Sequence, residues 1–387
     1  MIGVGIIIPL LAPLFFAQTG MLPLATTQTM RALLFGLLMA VFPLAQFFGS
    51  PLLGTLSDMY GRKKVLSVTL LGTVLGYVGF AFGILTSSLT LIFISRTVAG
   101  FFAGNISVAF STIADIRHGQ EKVKAFGLVG MAFGLGIVIG PFLGGVLADS
   151  NLVSWFGFST PFFFAALLSL INFTVLQFKF QETLKEKRSA KVSLFTGFTH
   201  LKHAITHKTL RNLFLFSFLY TLGFMFFTTF FSVLLVERFS LDETHIGYIF
   251  AFLGVCIAVV QGLIVRKLSM KYTPMQLLPF STLVLTFIFL LYMIPKSIIG
   301  IYFIIPIMAL FNGISMPNVS ALISNSAGKD EQGSIFGVNQ SLQAVAQIIP
   351  GLLSGVLVSI SFTFPFIVAS VLTFIAWLVL VFMIKKN

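Results

Sequence analysis

The sequence predicts an all-α integral membrane protein of twelve transmembrane helices in two pseudo-symmetric six-helix bundles. Three observations predict it: the apolar composition, the length of the apolar runs and the placement of the basic residues. Of 387 residues, 57% are apolar and 9% charged, with a mean hydropathy of +1.03. Soluble domains carry about 25% charged residues, so the solvent for most of this chain is lipid. Backbone groups in lipid need partners within the chain, which leaves helices or a closed barrel. Barrel strands alternate apolar and polar residues. These runs are apolar on every side and of helix length.

The spans are expected at about 2–17, 32–54, 65–86, 91–112, 126–148, 156–178, 212–235, 246–265, 274–294, 298–322, 335–358 and 362–384. Of the 24 Lys and Arg, only Arg31, Arg238 and Lys296 fall on one side; Arg96 lies inside a span and the remaining 20 fall on the other side. The positive-inside rule makes the rich side cytoplasmic, with both termini there. The expected location is a cell membrane, as in a bacterial inner membrane. The net charge of +13 is scattered through short connections rather than gathered in one patch, which argues against nucleic acid as a partner. The single cysteine, Cys256, excludes a disulfide framework.

The longest connection, 179–211, separates an N-terminal bundle (1–178) from a C-terminal one (212–387). Within it Leu194, Phe195, Phe198, Leu201 and Ile205 share one helical face. That face predicts a helix lying on the inner membrane surface, its basic side toward anionic headgroups. His200, His203 and His207 lie on the other face, but no Glu follows His203 to complete a zinc-protease pattern, and no metal site is expected. The halves resemble each other weakly: Phe126-Gly127 matches Phe336-Gly337, Gly145-Val146-Leu147 matches Gly355-Val356-Leu357, and Gly54 matches Gly262. Such a repeat places a site between two bundles.

Three motifs stand out. The first is Gly54-x-x-x-Asp58-x-x-Gly61-Arg62-Lys63, between spans 2 and 3. In its repeat Arg266 stands at the place of Asp58 and Ser269 at that of Gly61. The second is Arg96 in span 4, followed by Gly100 and Gly104. An Arg at mid-helix costs ~2.5–3.5 kcal/mol on insertion scales, so it either serves the interior or snorkels outward. The third is span 5, with Gly127, Gly136, Gly140-Pro141 and Gly144-Gly145. Glycines every fourth residue form a smooth stripe that lets helices approach closely, and Pro141 bends the helix. Span 8 carries Gly254, Ala258 and Gly262 at the same spacing. Gln46, Asn105, Tyr220, Thr221, Gln261, Asn312, Asn339, Gln340, Gln343 and Gln347 are polar residues within spans. Each either lines a cavity or bonds a neighbouring helix.

Together these motifs resemble the major facilitator superfamily, and its drug–proton antiporters in particular, with the nearest likeness to tetracycline efflux proteins. That resemblance implies the major facilitator fold and proton-coupled efflux of a small amphipathic or drug-like molecule by alternating access. An importer or facilitator on the same fold is the alternative. It implies a latch in which Asp58, held by Arg62 with Asp115 or Glu121 as further partner, meets the N-terminus of span 11 near Gly333 to Ile335 and favours the outward-open state. It assigns Arg96 to proton coupling, the span 5 glycines to an antiporter motif in contact with span 8, and protons, small-molecule substrate and lipid as partners. A monomer is expected, and no cofactor. No HExxH, GxSxG or P-loop pattern is present, so neither catalysis nor nucleotide-driven pumping is expected. The run Gly3-Val4-Gly5-Ile6-Ile7-Ile8-Pro9 resembles the first-span motif of these proteins, in which an acidic residue stands three places before the first glycine. That residue would fall just before Met1, so the given sequence is expected to begin inside its own first helix, through a misassigned start or a truncated gene.

Overall fold

The computed structural model describes the chain except residues 1, 18–20, 117–131, 133–134, 137–138, 185–195, 207–209, 270, 326–331 and 387. Its helices are α1 (Ile2–Phe16), α2 (Gln28–Tyr60), α3 (Arg62–Leu85), α4 (Leu89–Ala103), α5 (Ile106–Ile116), α6 (Ile139–Ala148), α7 (Thr160–Lys179), α8 (Thr196–Thr206), α9 (Arg211–Phe239), α10 (Glu243–Val259), α11 (Arg266–Ser269), α12 (Pro274–Leu291), α13 (Ile298–Asn325), α14 (Gln332–Ile360) and α15 (Phe364–Lys386). A π-helical turn, Val260–Val265, joins α10 to α11. Ten candidate spans are long and apolar enough to cross a membrane, and Ile2–Phe16 and Ile139–Ala148 are shorter apolar helices. Together they make the expected twelve.

The chain marks its own helix starts. Thr27 accepts a hydrogen bond from the Met30 amide at 3.4 Å, Ser88 from Leu91 at 3.3 Å and Asp242 from His245 at 2.8 Å, each satisfying an amide with no partner inside its helix. Thr273 and Gln276 form a capping box at the start of α12.

The fourth span is not one helix. It breaks at Gly104 and Asn105, between α4 and α5. The cause is close packing on α2: a Cβ on Gly104 would meet the Ser50 amide nitrogen at 2.5 Å, and one on Gly100 would collide with the Phe42 carbonyl oxygen. Side chains tie the broken segment to its neighbours. Gln46 donates to the Ala103 carbonyl at 3.3 Å, Ser107 to the Ser50 carbonyl at 2.9 Å, and Asn105 to Thr69 Oγ1 at 3.3 Å. Gln46 and Asn105 therefore serve as interhelical bonds.

Helices α2, α3, α4 and α7 pack together before the linker, and α9, α12, α13 and α15 after it, with α2 against α14 joining the two groups. The groups press hardest at the end that carries Gln28 and Glu237. Gly36 and Gly351 leave no room for a side chain on either, and Ser354 Oγ donates to the Ala32 carbonyl at 2.8 Å. A Cβ on Gly247 would stand 2.9 Å from the Gly145 Cα. Gln28 donates to Glu237 Oε2 at 2.7 Å across the same seam. Arg31, expected as a loop charge, is buried there and donates to the carbonyls of Phe15 and Pro23, both at 2.7 Å.

Two expectations about packing change. The Gly136–Gly140–Gly144 stripe faces α1, not span 8: a Cβ on Gly5 would meet the Gly136 carbonyl at 2.5 Å, and one on Gly140 the Gly5 Cα at 2.6 Å. The approach of span 5 to span 8 is made by Gly145 on Gly247 and Thr244, while Ala258 of the expected stripe is exposed. Gly136, Gly140 and Gly144 lie on one face and Gly145 is turned about 100° from Gly144, so one helix serves two neighbours. The linker helix α8, expected on a lipid surface, packs instead against α2, α9 and α14, with Ala204 buried.

Candidate functional site

Helix α2 ends at Gly61, whose φ of 104° is open to glycine and costly for other residues. The turn brings Arg62 back beside its own helix. Buried to 5% exposure, Arg62 pairs with Asp58 at 2.6 Å through Nη1 and with Asp115 of α5 at 2.9 Å through Nε, and donates to Ser57 Oγ at 2.5 Å. The expected partners Asp58 and Asp115 are thus joined through one guanidinium; Glu121 lies outside the described residues. Lys63 reaches the Gln177 carbonyl at 2.9 Å, tying the turn to the end of α7. Gly54 has ordinary room beside Ser107.

One member of this cluster escaped sequence reasoning. Glu182, just past α7, accepts from the amides of Arg62 at 2.9 Å and Lys63 at 3.1 Å, capping α3, whose N-cap Gly61 has no side chain to do so. It also accepts from its neighbours Thr183 and Leu184, both at 3.0 Å. Burial alone pushes its carboxyl up, but the four amide bonds outweigh this and hold it below the usual carboxylate range. A Cβ on Gly61 would stand 2.5 Å from Glu182 Oε2, so the glycine also makes room for the cap. A lone Glu in a charged linker carries no sequence signal of this partnership.

Arg96 of α4 is enclosed at 6% exposure, so it does not snorkel to the surface. Its guanidinium carbon lies 4.6 Å from the centre of the Phe42 ring, a cation–π geometry, with Tyr77 of α3 as its electrostatic neighbour. Nε and Nη1 have no hydrogen-bond partner among the described residues. A cation–π contact contributes ~2 kcal/mol or more when desolvated, against an insertion cost of ~2.5–3.5 kcal/mol, and leaves Nε and Nη1 still unpaired among the described residues. Tyr77, which sequence reasoning missed, also stands against α1: a Cβ on Gly3 would meet its hydroxyl at 2.5 Å.

The remaining polar residues divide. Tyr220 donates to Asn312 at 3.0 Å and Ser217 to Asn339 at 2.9 Å, buried bonds that tie α9 to α13 and α14. Thr221 is buried, Gln343 and Gln347 are half-buried, and Gln340 is exposed. Gln261 falls in the π-helical turn and is exposed. Gly127 lies outside the described residues.

Twelve apolar helices pressed together at one end, with an arginine enclosed in a span, define a multi-pass membrane protein with the architecture of a transporter. The chain belongs to the major facilitator superfamily, whose family model matches residues 1–351. It is 29% identical to the class B tetracycline resistance protein of Escherichia coli, over 92% of this chain and 84% of that one. It is 27% identical to multidrug resistance protein 2 of Bacillus subtilis (strain 168), over 100% and 93%. The human organic anion transporter MFSD10 (TETRAN) superposes with a TM-score of 0.74 at 22% identity, covering 98% of this chain and 95% of that one.

Proposed function

We propose that this protein is a secondary exporter which exchanges a small amphipathic or aromatic molecule for protons across a cell membrane by alternating access. Residues 1–178 and 212–387 are the moving bodies, and both termini are cytoplasmic, as in a bacterial inner membrane. On that topology the Gln28–Glu237 end faces outward, and the conformation is closed to the outside. The observation that carries the reading is the enclosed Arg96, a charge whose cost is accounted for by a coupling role better than by packing. The names of the tetracycline and multidrug resistance relatives support export over import. Asp58, held by Arg62, meets the N-terminus of α14 when the inner side closes, where the helix dipole stabilises a carboxylate by ~0.3–1 kcal/mol.

The test is transport in inverted membrane vesicles, with a compound panel and a pH-sensitive dye. Proton release from the vesicles on adding a compound, lost in Arg96→Lys and Arg96→Ala, is the expected result. Proton release of wild-type size in Arg96→Lys would remove the coupling role, because lysine keeps the charge and loses the planar fork. Uptake unaffected by collapsing the proton gradient would make the protein a facilitator.

A further inference from the structure

The linker helix α8 does not lie where an amphipathic surface helix belongs. It sits against α2 of the first half and against α9 and α14 of the second. The Phe198 ring is 5.3 Å from that of Phe47 at an interplanar angle of 81°, and 6.1 Å from that of Phe48. Phe47 and Phe48 themselves stand edge to face at 5.4 Å. Phe47 is 6% exposed beneath this cover, whereas Phe198 is 49% exposed. Phe47 precedes Asp58 by eleven residues of continuous helix, about 16 Å of rise at 1.5 Å per residue. The ring therefore lies well along α2 from the Asp58–Arg62 cluster, toward the Gln28 end, under the linker helix that bridges the halves. The helices that α8 touches are those that carry Gln46, Tyr220 and Asn339.

We propose that the edge-to-face pair Phe47 and Phe48 is an aromatic subsite for the transported molecule, and that Phe198 of the linker helix occupies it as a built-in competitor while the Gln28 end is closed. The proposal rests on the transport reading above. An exposed aromatic face between two halves holds a flat ring of any aromatic substrate by the same contacts it gives Phe198. A tethered ring competes at an effective concentration in the millimolar range and raises the apparent KM of a substrate by the factor 1 + effective concentration/Kd of the ring. The helix also lies between α2 and α14, the elements that must approach for Asp58 to reach the N-terminus of α14. Substrate loading and inner closure therefore both require α8 to leave.

Two measurements on the full chain test this. In a Cys256→Ser background, Phe198→Cys and Phe48→Cys are joined by a short bis-maleimide in native membranes. Efficient cross-linking is expected, and its absence would overturn the plug whatever the protein transports. Tetracycline, or the compound exported best in the panel, is then added outside inverted vesicles at a range of concentrations and its uptake measured. Phe198→Ala is expected to lower KM about 3- to 10-fold by removing the tethered competitor, Phe198→Trp to leave it near the wild-type value, and Phe47→Ala to raise it. An unchanged KM in Phe198→Ala, with cross-linking intact, would reduce α8 to a structural strut and overturn the competition. If the wild-type protein exports nothing, the transport reading fails and the competition with it, while the cross-link still decides where the helix sits.

Discussion

The turn after α2 and the turn after α10 occupy matching places in the two halves and are held by different means. The first is built from charge: Arg62 joins Asp58 to Asp115, and α3 is capped by Glu182 from 120 residues away. The second is a π-helical turn leading into α11, after which α12 is capped locally by Thr273 and Gln276. Both solve the same problem of amides without helical partners. The local cap is indifferent to what the rest of the chain does. The distant cap binds the turn to the start of the linker, so a shift of either disturbs the other. The apolar frame is shared between the halves, and among the described residues the ion-paired turn is that of the first.

The largest effect that would test this contrast comes from Arg62→Ala. It strands two carboxylates, one of them three-quarters buried, at about 2 kcal/mol, between the values for exposed and enclosed pairs. Transport is expected to fall more than tenfold with the protein still present in the membrane. Near-normal rates would reduce the cluster to a surface turn.

Gly61→Ala comes next. A side chain at this φ costs ~1–3 kcal/mol and displaces Glu182. A lowered melting temperature and a several-fold loss of transport are expected.

The two caps then separate stability from function. Glu182→Ala and Thr273→Ala should each cost about 1 kcal/mol of stability, the usual value of a cap. Only Glu182→Ala should slow transport per folded molecule, by roughly two- to fivefold on the strength of the same cap energy. Equal slowing by both would mean that the linker connection carries nothing. Acidification gives a further reading. Because Glu182 is held below its ordinary carboxyl range, its contribution is present above the unfolded value of about 4.3 and lost as pH falls through the lower folded value. The difference in melting temperature between wild type and Glu182→Gln should therefore persist at neutral pH, begin to shrink below about pH 4.3 and vanish only below the lower folded value.

The smallest effect is expected at Lys267→Ala in α11, an exposed position of the counterpart turn. Transport within twofold of wild type is expected, and a larger loss would show that the second turn is wired too.

The sequence by itself determined the membrane class, the spans and the residues of the charged turn. Apolar runs of helix length have no other solution in lipid, and Asp58, Gly61 and Arg62 are close along the chain, where local geometry brings them together. Arg96 was legible as an anomaly of cost. What the tertiary structure decided is which surfaces meet. A glycine stripe announces a close approach without naming the partner, and the partner proved to be α1 for Gly136 and Gly140 but Gly247 for Gly145. Gln46 and Asn105 read as cavity residues or as interhelical bonds, and only the packing shows them bonding the Ala103 carbonyl and Thr69. Glu182 and Phe198 lie in a linker whose pattern fits a lipid surface as well as a protein seam. An amphipathic face specifies only that something apolar must cover it, and here α2, α9 and α14 do so, a choice made by the packing of both halves and not by the linker's own pattern.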